Sequence, residues 1–223
     1  MNTNPIYLAL DMYDAAKARR MVEEVRDYIG GLKIGLGFWY HNNRSLISNV
    51  MQGFDCFLDL KWKDIPMQVA GAMRGVLPLR PTFVSVHEDG GPAMLQATAE
   101  AARDEAQSLQ VPRPHILAVT VLTSLRATLT DIVTRGHRAM MNGADGVICS
   151  PLEVPVLRDQ LGVRPILMTP GIRMPGEPED DHQRSATPRE AMDAGADFLV
   201  IGRPITQATN PREAAKKILD SLG

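Results

Sequence analysis

The sequence predicts an α/β fold, a single-domain (β/α)8 barrel of the TIM type over residues 1–223, and three observations carry that expectation. Eight short β-branched or leucine-rich runs recur along the chain. Amphipathic helical patterns lie between several of them, and strands that alternate with helices pair in parallel. No Pro/Gly-rich linker divides the 223 residues, a length at which such barrels close around one core. A doubly wound sheet alternates in the same way; strand number and chain length together favour the barrel.

The strand candidates are IYLALD (6–11), LKIGL (32–36), FDCFLDL (54–60), FVSVHE (83–88), HILAVTVL (115–122), DGVICS (145–150), PILMTPG (165–171) and DFLVIG (197–202). Between the first two, AAKARRMVEEVRDYI places Ala18, Met21, Val22, Val25 and Ile29 on one helical face. The stretch PAMLQATAEAARDEAQSL is built from strong helix formers. No repeat of about 20–50 residues is visible. Barrels build their sites at the C-terminal ends of the strands. Asp11, Lys33, Asp59 with Lys61, His87, Thr123, Ser150, Thr169, and Gly202 with Arg203 all fall at or just after such an end.

Composition narrows the partner. The chain is 44% apolar and 22% charged, as ordinary globular proteins are. With 24 basic against 26 acidic residues and no basic stripe interleaved with aromatics, nucleic acid is not the expected partner; a small molecule is. The two cysteines, Cys56 and Cys149, both sit in apolar runs and read as reduced core thiols, which favours the cytoplasm. The N-terminus passes from a short polar lead into a strand, without a basic region or an apolar stretch of signal or membrane-span length. His41, His115 and His137 show no ligand spacing, no metal set emerges, and the methionines read as core filler.

The stretch DCFLDLKWKDIP (55–66) concentrates the charge. If strand geometry continues, Asp59 and Lys61 share a parity and become neighbours; Lys63 is expected to point away into solvent. Asp11 and Lys33 end the first two strands and add a second acid and base beside them. In an alternating array each charge is favoured by its opposite neighbours, which holds a proton donor ready. Taken one at a time, these residues also fit a solvated ion-pair cluster; their co-location at strand ends favours a site. Phosphate recognition asks for backbone N–H donors, a glycine for close approach and a forked cation, and VIGRPIT (200–206) offers Gly202 and Arg203. The long Gly-, Pro- and acid-rich segment PGIRMPGEPEDDHQRSATP, with Arg173 near its start, reads as a lid.

These motifs carry a resemblance. LALD (8–11), LKIG (32–35), FLDLKWKDIP (57–66), VHEDGG (86–91), AVTVLTS (118–124), GADGVICS (143–150), TPGIR (169–173) and GADFLVIGRPIT (195–206), in this order, resemble the orotidine 5'-phosphate decarboxylase family over essentially the whole chain. The resemblance implies decarboxylation of a pyrimidine nucleotide in the barrel mouth, without metal or organic cofactor. Lys61 matches the proton donor and Asp59 the acid against the departing carboxylate. Lys33 and Asp64 complete the charged network, Asp64 from the neighbouring subunit, so a homodimer is implied. Asp11 matches a ribose contact, Thr123 a pyrimidine contact, and Arg203 and Arg173 phosphate contacts. Ile65 and Pro170 join the substrate-contacting positions, whereas His87 matches a loop-shaping position. The family's phosphate-gripping Gln aligns with His182, with Gln183 one residue late, and either can serve.

Two departures stand out. The usual Asn-Thr after DIP is Met67-Gln68, so Gln68 would have to replace the Thr contact through its amide; the segment after Ser124 is shorter than in typical bacterial members. Two rival readings follow. A related sugar-phosphate decarboxylase branch shares Asp-x-Lys-x-x-Asp but uses Mg²⁺, placing an acid where Lys33 would repel the metal. A noncatalytic nucleotide-phosphate-binding barrel is the other, since a fold does not guarantee an activity; intact Asp59, Lys61 and Asp64 argue against it.

Overall fold

The computed structural model describes residues 3–122, 127–174 and 185–223. Eight parallel strands close a barrel in sequence order: β1 (Ile6–Leu10), β2 (Gly31–Gly35), β3 (Asp55–Trp62), β4 (Phe83–His87), β5 (His115–Val119), β6 (Gly146–Ile148), β7 (Ile166–Thr169) and β8 (Phe198–Ile201), with β8 pairing back onto β1. Every predicted run overlaps a strand, with β2 starting one residue earlier and β3 running two residues further than expected. The largest differences are at ends: β5 stops at Val119 rather than 122, and β6 keeps three residues.

Around the strands lie α1 (Ala15–Val25), α2 (Leu36–His41), α3 (Arg44–Met51), α4 (Pro66–Val76), α5 (Pro92–Leu109), α6 (Leu129–Met141), α7 (Val154–Leu161), α8 (Pro188–Asp193), α9 (Arg203–Thr206) and α10 (Pro211–Asp220). Helix α1 starts where the Asp14 carboxylate accepts the Ala16 and Lys17 amides at 2.7 and 3.0 Å. Its predicted face is correct for Ala18, Val22 and Val25, which are buried, while Met21 is half-buried. Ile29 is buried after the helix has tightened into a 3-10 turn, Arg26–Tyr28. Helices α4, α5, α8 and α10 each begin at a proline, whose fixed φ suits the first helical position and whose missing N–H is not needed there.

Strand parity divides the interior into two cores. Outward residues such as Leu8, Leu32, Leu58, Val84, Ile116, Val147, Leu167 and Leu199 pack under the helices. Inward residues Tyr7, Phe57, Phe83, Leu117, Val119, Ile148 and Met168 fill the barrel itself. There the ring of Phe83 meets those of Tyr7, Phe57 and Phe198 at centroid distances of 5.6, 6.3 and 5.2 Å. One step along each strand toward the C-terminal end, the inward positions become Ala9, Lys33, Asp59, Ser85 and Val200. On β3 the barrel therefore changes from aromatic filling to charged mouth within two residues, from Phe57 to Asp59.

Candidate active site

A cavity of about 510 Å³ opens at the C-terminal ends of the strands. Its charged lining is Asp11, Lys33, Asp59, Lys61, Arg173 and Arg203; Phe57, Val119, Val121, Leu122, Ile148 and Val200 form an apolar wall. Lys33 Nζ stands 2.9 Å from Asp11 Oδ1 and 4.0 Å from Asp59 Oδ2, and Lys61 Nζ stands 2.7 Å from the same Asp59 oxygen. The four charges thus alternate in space as the sequence predicts. Asp59 and Lys33 are nearly buried, with side chains 12% and 10% exposed, so the attraction acts with little solvent screening. Gly35 keeps the space open: a Cβ there would lie 3.1 Å from Lys33 Nζ.

Asp59 and Lys61 meet, but not by the uniform strand geometry that parity assumed. The β3–β4 register runs from Leu58 opposite Val84 to Trp62 opposite Val86, so Asp59, Leu60 and Lys61 share one opposing residue, Ser85. This bulge puts Lys61 at φ 49, the left-handed region that non-glycine residues seldom occupy. Ser85 is fully buried; its hydroxyl accepts the Lys61 N–H at 2.8 Å and donates to Asp59 Oδ1 at 3.0 Å.

Lys63 is exposed, as expected, and its ammonium also pairs with Asp89 at 2.8 Å, because the chain leaving β3 crosses the turn after β4. That hydrogen bond is the largest influence holding the Asp89 carboxyl below its usual range. The neighbouring His87 imidazole is pushed down by burial, against the opposing pull of Asp89. Behind the same turn the buried Glu88 receives Arg138 at 2.6 Å and Arg135 at 3.6 Å, and Arg135 also donates to the Thr120 carbonyl at the end of β5.

At the opposite side of the mouth Pro170, Gly171, Arg173, Gly202, Arg203 and Gln207 line the cavity. Arg173 is 9% exposed, and its guanidinium donates to the Ile172 carbonyl at 2.8 Å. A bridge between Ile172 and Ala186, with the Arg173 N–H on the Ala186 carbonyl at 3.0 Å, fastens the two ends of the predicted lid.

Of the predicted site residues, Asp11, Lys33, Asp59, Lys61, Pro170, Arg173, Gly202 and Arg203 converge on the cavity. Asp64, Ile65 and Gln68 do not line it; they are exposed beside it, with the Asp64 carboxylate accepting the Ile65 N–H at 2.7 Å. Thr123, His182 and Gln183 lie outside the described residues. Three strand-end polar residues stay out of the cavity: Thr169 faces outward against Cys149, 3.9 Å away, Ser150 is buried without lining it, and His87 stands beside Asp89 in the turn after β4. Missed from sequence were Ser85, the apolar wall and Gln207. Inward parity on β4, β5, β6 and β8 was the available signal for the first two.

Comparison with known proteins agrees with this geometry. Residues 4–218 match the family described as "Orotidine 5'-phosphate decarboxylase / HUMPS family". The orotidine 5'-phosphate decarboxylase of Rhodospirillum rubrum is 42% identical, with 100% of this chain and 95% of the relative covered. That of Paramagnetospirillum magneticum is 41% identical, with 99% of each covered. The crystal structure of orotidine 5'-phosphate decarboxylase from Lactobacillus acidophilus superposes with a TM-score of 0.85 at 31% identity, covering 99% of both chains. With its barrel, its alternating charged mouth and its sequence aligned from end to end, the chain belongs to the orotidine 5'-phosphate decarboxylase / HUMPS family.

Proposed function

We propose that the chain converts orotidine 5'-phosphate to UMP and CO₂, the activity carried by the names of its relatives and a step of pyrimidine biosynthesis, and that it does so without metal or organic cofactor. The single observation that carries this reading is the Asp11–Lys33–Asp59–Lys61 array, with successive contacts of 2.9, 4.0 and 2.7 Å, on the floor of the cavity.

Breaking the bond to the carboxylate leaves its electron pair on the ring carbon. The Lys61 ammonium, already fixed against Asp59, stabilises that charge as it develops and then transfers its proton to the carbon. Asp59 faces the departing carboxylate; its charge opposes the bound anion but not neutral CO₂, so its contribution is secondary and depends on binding energy gained elsewhere. That energy comes from the far end of the nucleotide. Arg203 and the backbone at Gly202, with Arg173 and Pro170, receive the phosphate; His182 or Gln183 adds a contact from the lid, Asp11 holds the ribose and Thr123 the pyrimidine. The apolar wall covers the base and excludes water. The chemistry lives at the lysine, and the affinity lives at the phosphate.

Asp64, with Ile65 and Gln68, serves the site of a second copy, which makes the working unit a homodimer. The exposed positions of these three residues, with Met67, 71% exposed, next to Gln68 in the chain, support that placement. A cytoplasmic enzyme acting on a small soluble nucleotide fits the absence, among the described residues, of any helix long and apolar enough to cross a membrane.

The test follows orotidine 5'-phosphate absorbance in the presence of EDTA, for the wild type and Lys61→Ala. The wild type turns over, and the variant loses at least about 10²-fold in kcat. No turnover by the wild type, or equal turnover by the variant, overturns the assignment; loss of wild-type turnover in EDTA alone points to the Mg²⁺-using branch. Sedimentation showing only monomer removes the role given to Asp64.

A further inference from the structure

The geometry points to Ser85 as the positioning residue of the proton donor, a role that rests on the reading of Lys61 above. We propose that its hydroxyl locks Lys61 and Asp59 into one unit from beneath the cavity, without touching substrate. Three observations converge on one oxygen atom. First, the β3 bulge sets three residues opposite Ser85, so the usual β3–β4 ladder is interrupted where Lys61 offers its N–H. The Ser85 hydroxyl accepts that N–H at 2.8 Å. Second, the hydroxyl has a single proton and commits it to Asp59 Oδ1 at 3.0 Å, which leaves its lone pairs for the lysine amide. Third, the other Asp59 oxygen is the one that holds Lys61 Nζ at 2.7 Å.

The result is a closed ring. It runs from the Ser85 hydroxyl to one Asp59 oxygen, through the carboxylate to the Lys61 ammonium, down the lysine side chain to its own amide, and back to the hydroxyl. The ring fixes both ends of Lys61 with groups that are themselves withdrawn from water, Ser85 at 0% and Asp59 at 9% exposure. It also accounts for how a lysine remains at φ 49: a strained backbone persists when its surroundings over-determine it. An alanine at 85 would leave the barrel filling beneath, Phe83 and its aromatic neighbours, unchanged. It would free the lysine amide and one carboxylate oxygen together.

Ser85 does not line the cavity, so its loss separates positioning from binding. The experiment measures kcat, KM for orotidine 5'-phosphate and melting temperature for wild type, Ser85→Ala, Ser85→Cys and Ser85→Thr. The alanine variant is expected to lose about tenfold or more in kcat while KM stays within about twofold, since small misplacements of a catalytic group cost rate rather than affinity. Threonine, which keeps the hydroxyl, recovers most of the loss. Wild-type kcat in Ser85→Ala overturns the proposal, as does a fall in melting temperature with no fall in kcat. If the alanine variant does not fold, the cysteine variant decides: its weak S–H should lower kcat at unchanged KM, and wild-type kcat there also overturns the proposal. An inactive wild type would overturn the decarboxylase reading and this proposal together, whereas an active wild type with an intact alanine variant would overturn this one alone.

Discussion

The Lys33 ammonium stands 4.0 Å from the Asp59 carboxylate across the β2–β3 pairing, while its closer contact, 2.9 Å, goes to Asp11 just past the end of β1. One cation on β2 thereby joins an acid from each of the two flanking strand segments.

Replacing Lys33 by Met keeps much of its volume and removes the charge between the two acids. Asp59 retains Lys61, so the stability cost is that of losing one charged partner rather than all, about 1–3 kcal/mol. For a chain of this size that is a fall in melting temperature of several degrees, at about 2–4 °C per kcal/mol. Turnover of orotidine 5'-phosphate should drop by about 10²-fold or more. Circular dichroism melts and absorbance kinetics read the two effects separately.

Gly31 opens β2 directly over the barrel filling. A Cβ there would sit 2.3 Å from the Tyr7 ring and 2.7 Å from the Asp55 carbonyl oxygen, neither of which can move without disturbing the neighbouring strand. Gly31→Ala is expected to destabilise by about 3 kcal/mol or more through overpacking. Urea denaturation would show a lower midpoint with an unchanged slope.

Cys56 and Cys149 face the helix-covered core and are 1% and 0% exposed. Burial pushes the Cys149 thiol up to about 12 and the Cys56 thiol up as well. Neither can offer a thiolate at neutral pH. A colorimetric thiol reagent should therefore find no reactive cysteine in the native protein and two after unfolding in denaturant. Rapid labelling of either in the native state would contradict this burial.

His87 gives stability a pH dependence. Burial holds its imidazole below the ordinary value of 6.5, so in acid the unfolded chain takes up the proton first. The stability contributed by the neutral ring is present above that value and is lost as pH falls through the folded-state value. Melting temperature followed from about pH 8 down to about pH 5 should fall more steeply for the wild type than for His87→Gln. Parallel curves would remove His87 as the cause.

The eight strands were legible because each carries its own local signal, a short apolar run between turn and helix patterns. The charged array was legible for a related reason: Asp11, Lys33 and Asp59 lie in or just past the runs that form the first three strands, facing the mouth where a barrel gathers its polar residues. The route from Asp59 to Lys61 was not. A bulge is decided by the register between two strands, and LKWKD contains no glycine or proline to announce one. Ser85 likewise looks ordinary inside FVSVHE until its inward parity is set against the residues it opposes. The Lys63–Asp89 pair, 26 residues apart in sequence, exists because two turns happen to cross. Asp64, Ile65 and Gln68 stand exposed outside the cavity, and on the proposed reading their role depends on a second copy, which one chain's sequence does not display.

The aromatic filling of Tyr7, Phe57, Phe83 and Phe198 has one more effect, on traffic. It stops the barrel like a cork, so the mouth has no way out through the barrel axis. On the proposed reading, CO₂ formed against Asp59 cannot escape through that floor and has to leave on the side from which the nucleotide entered.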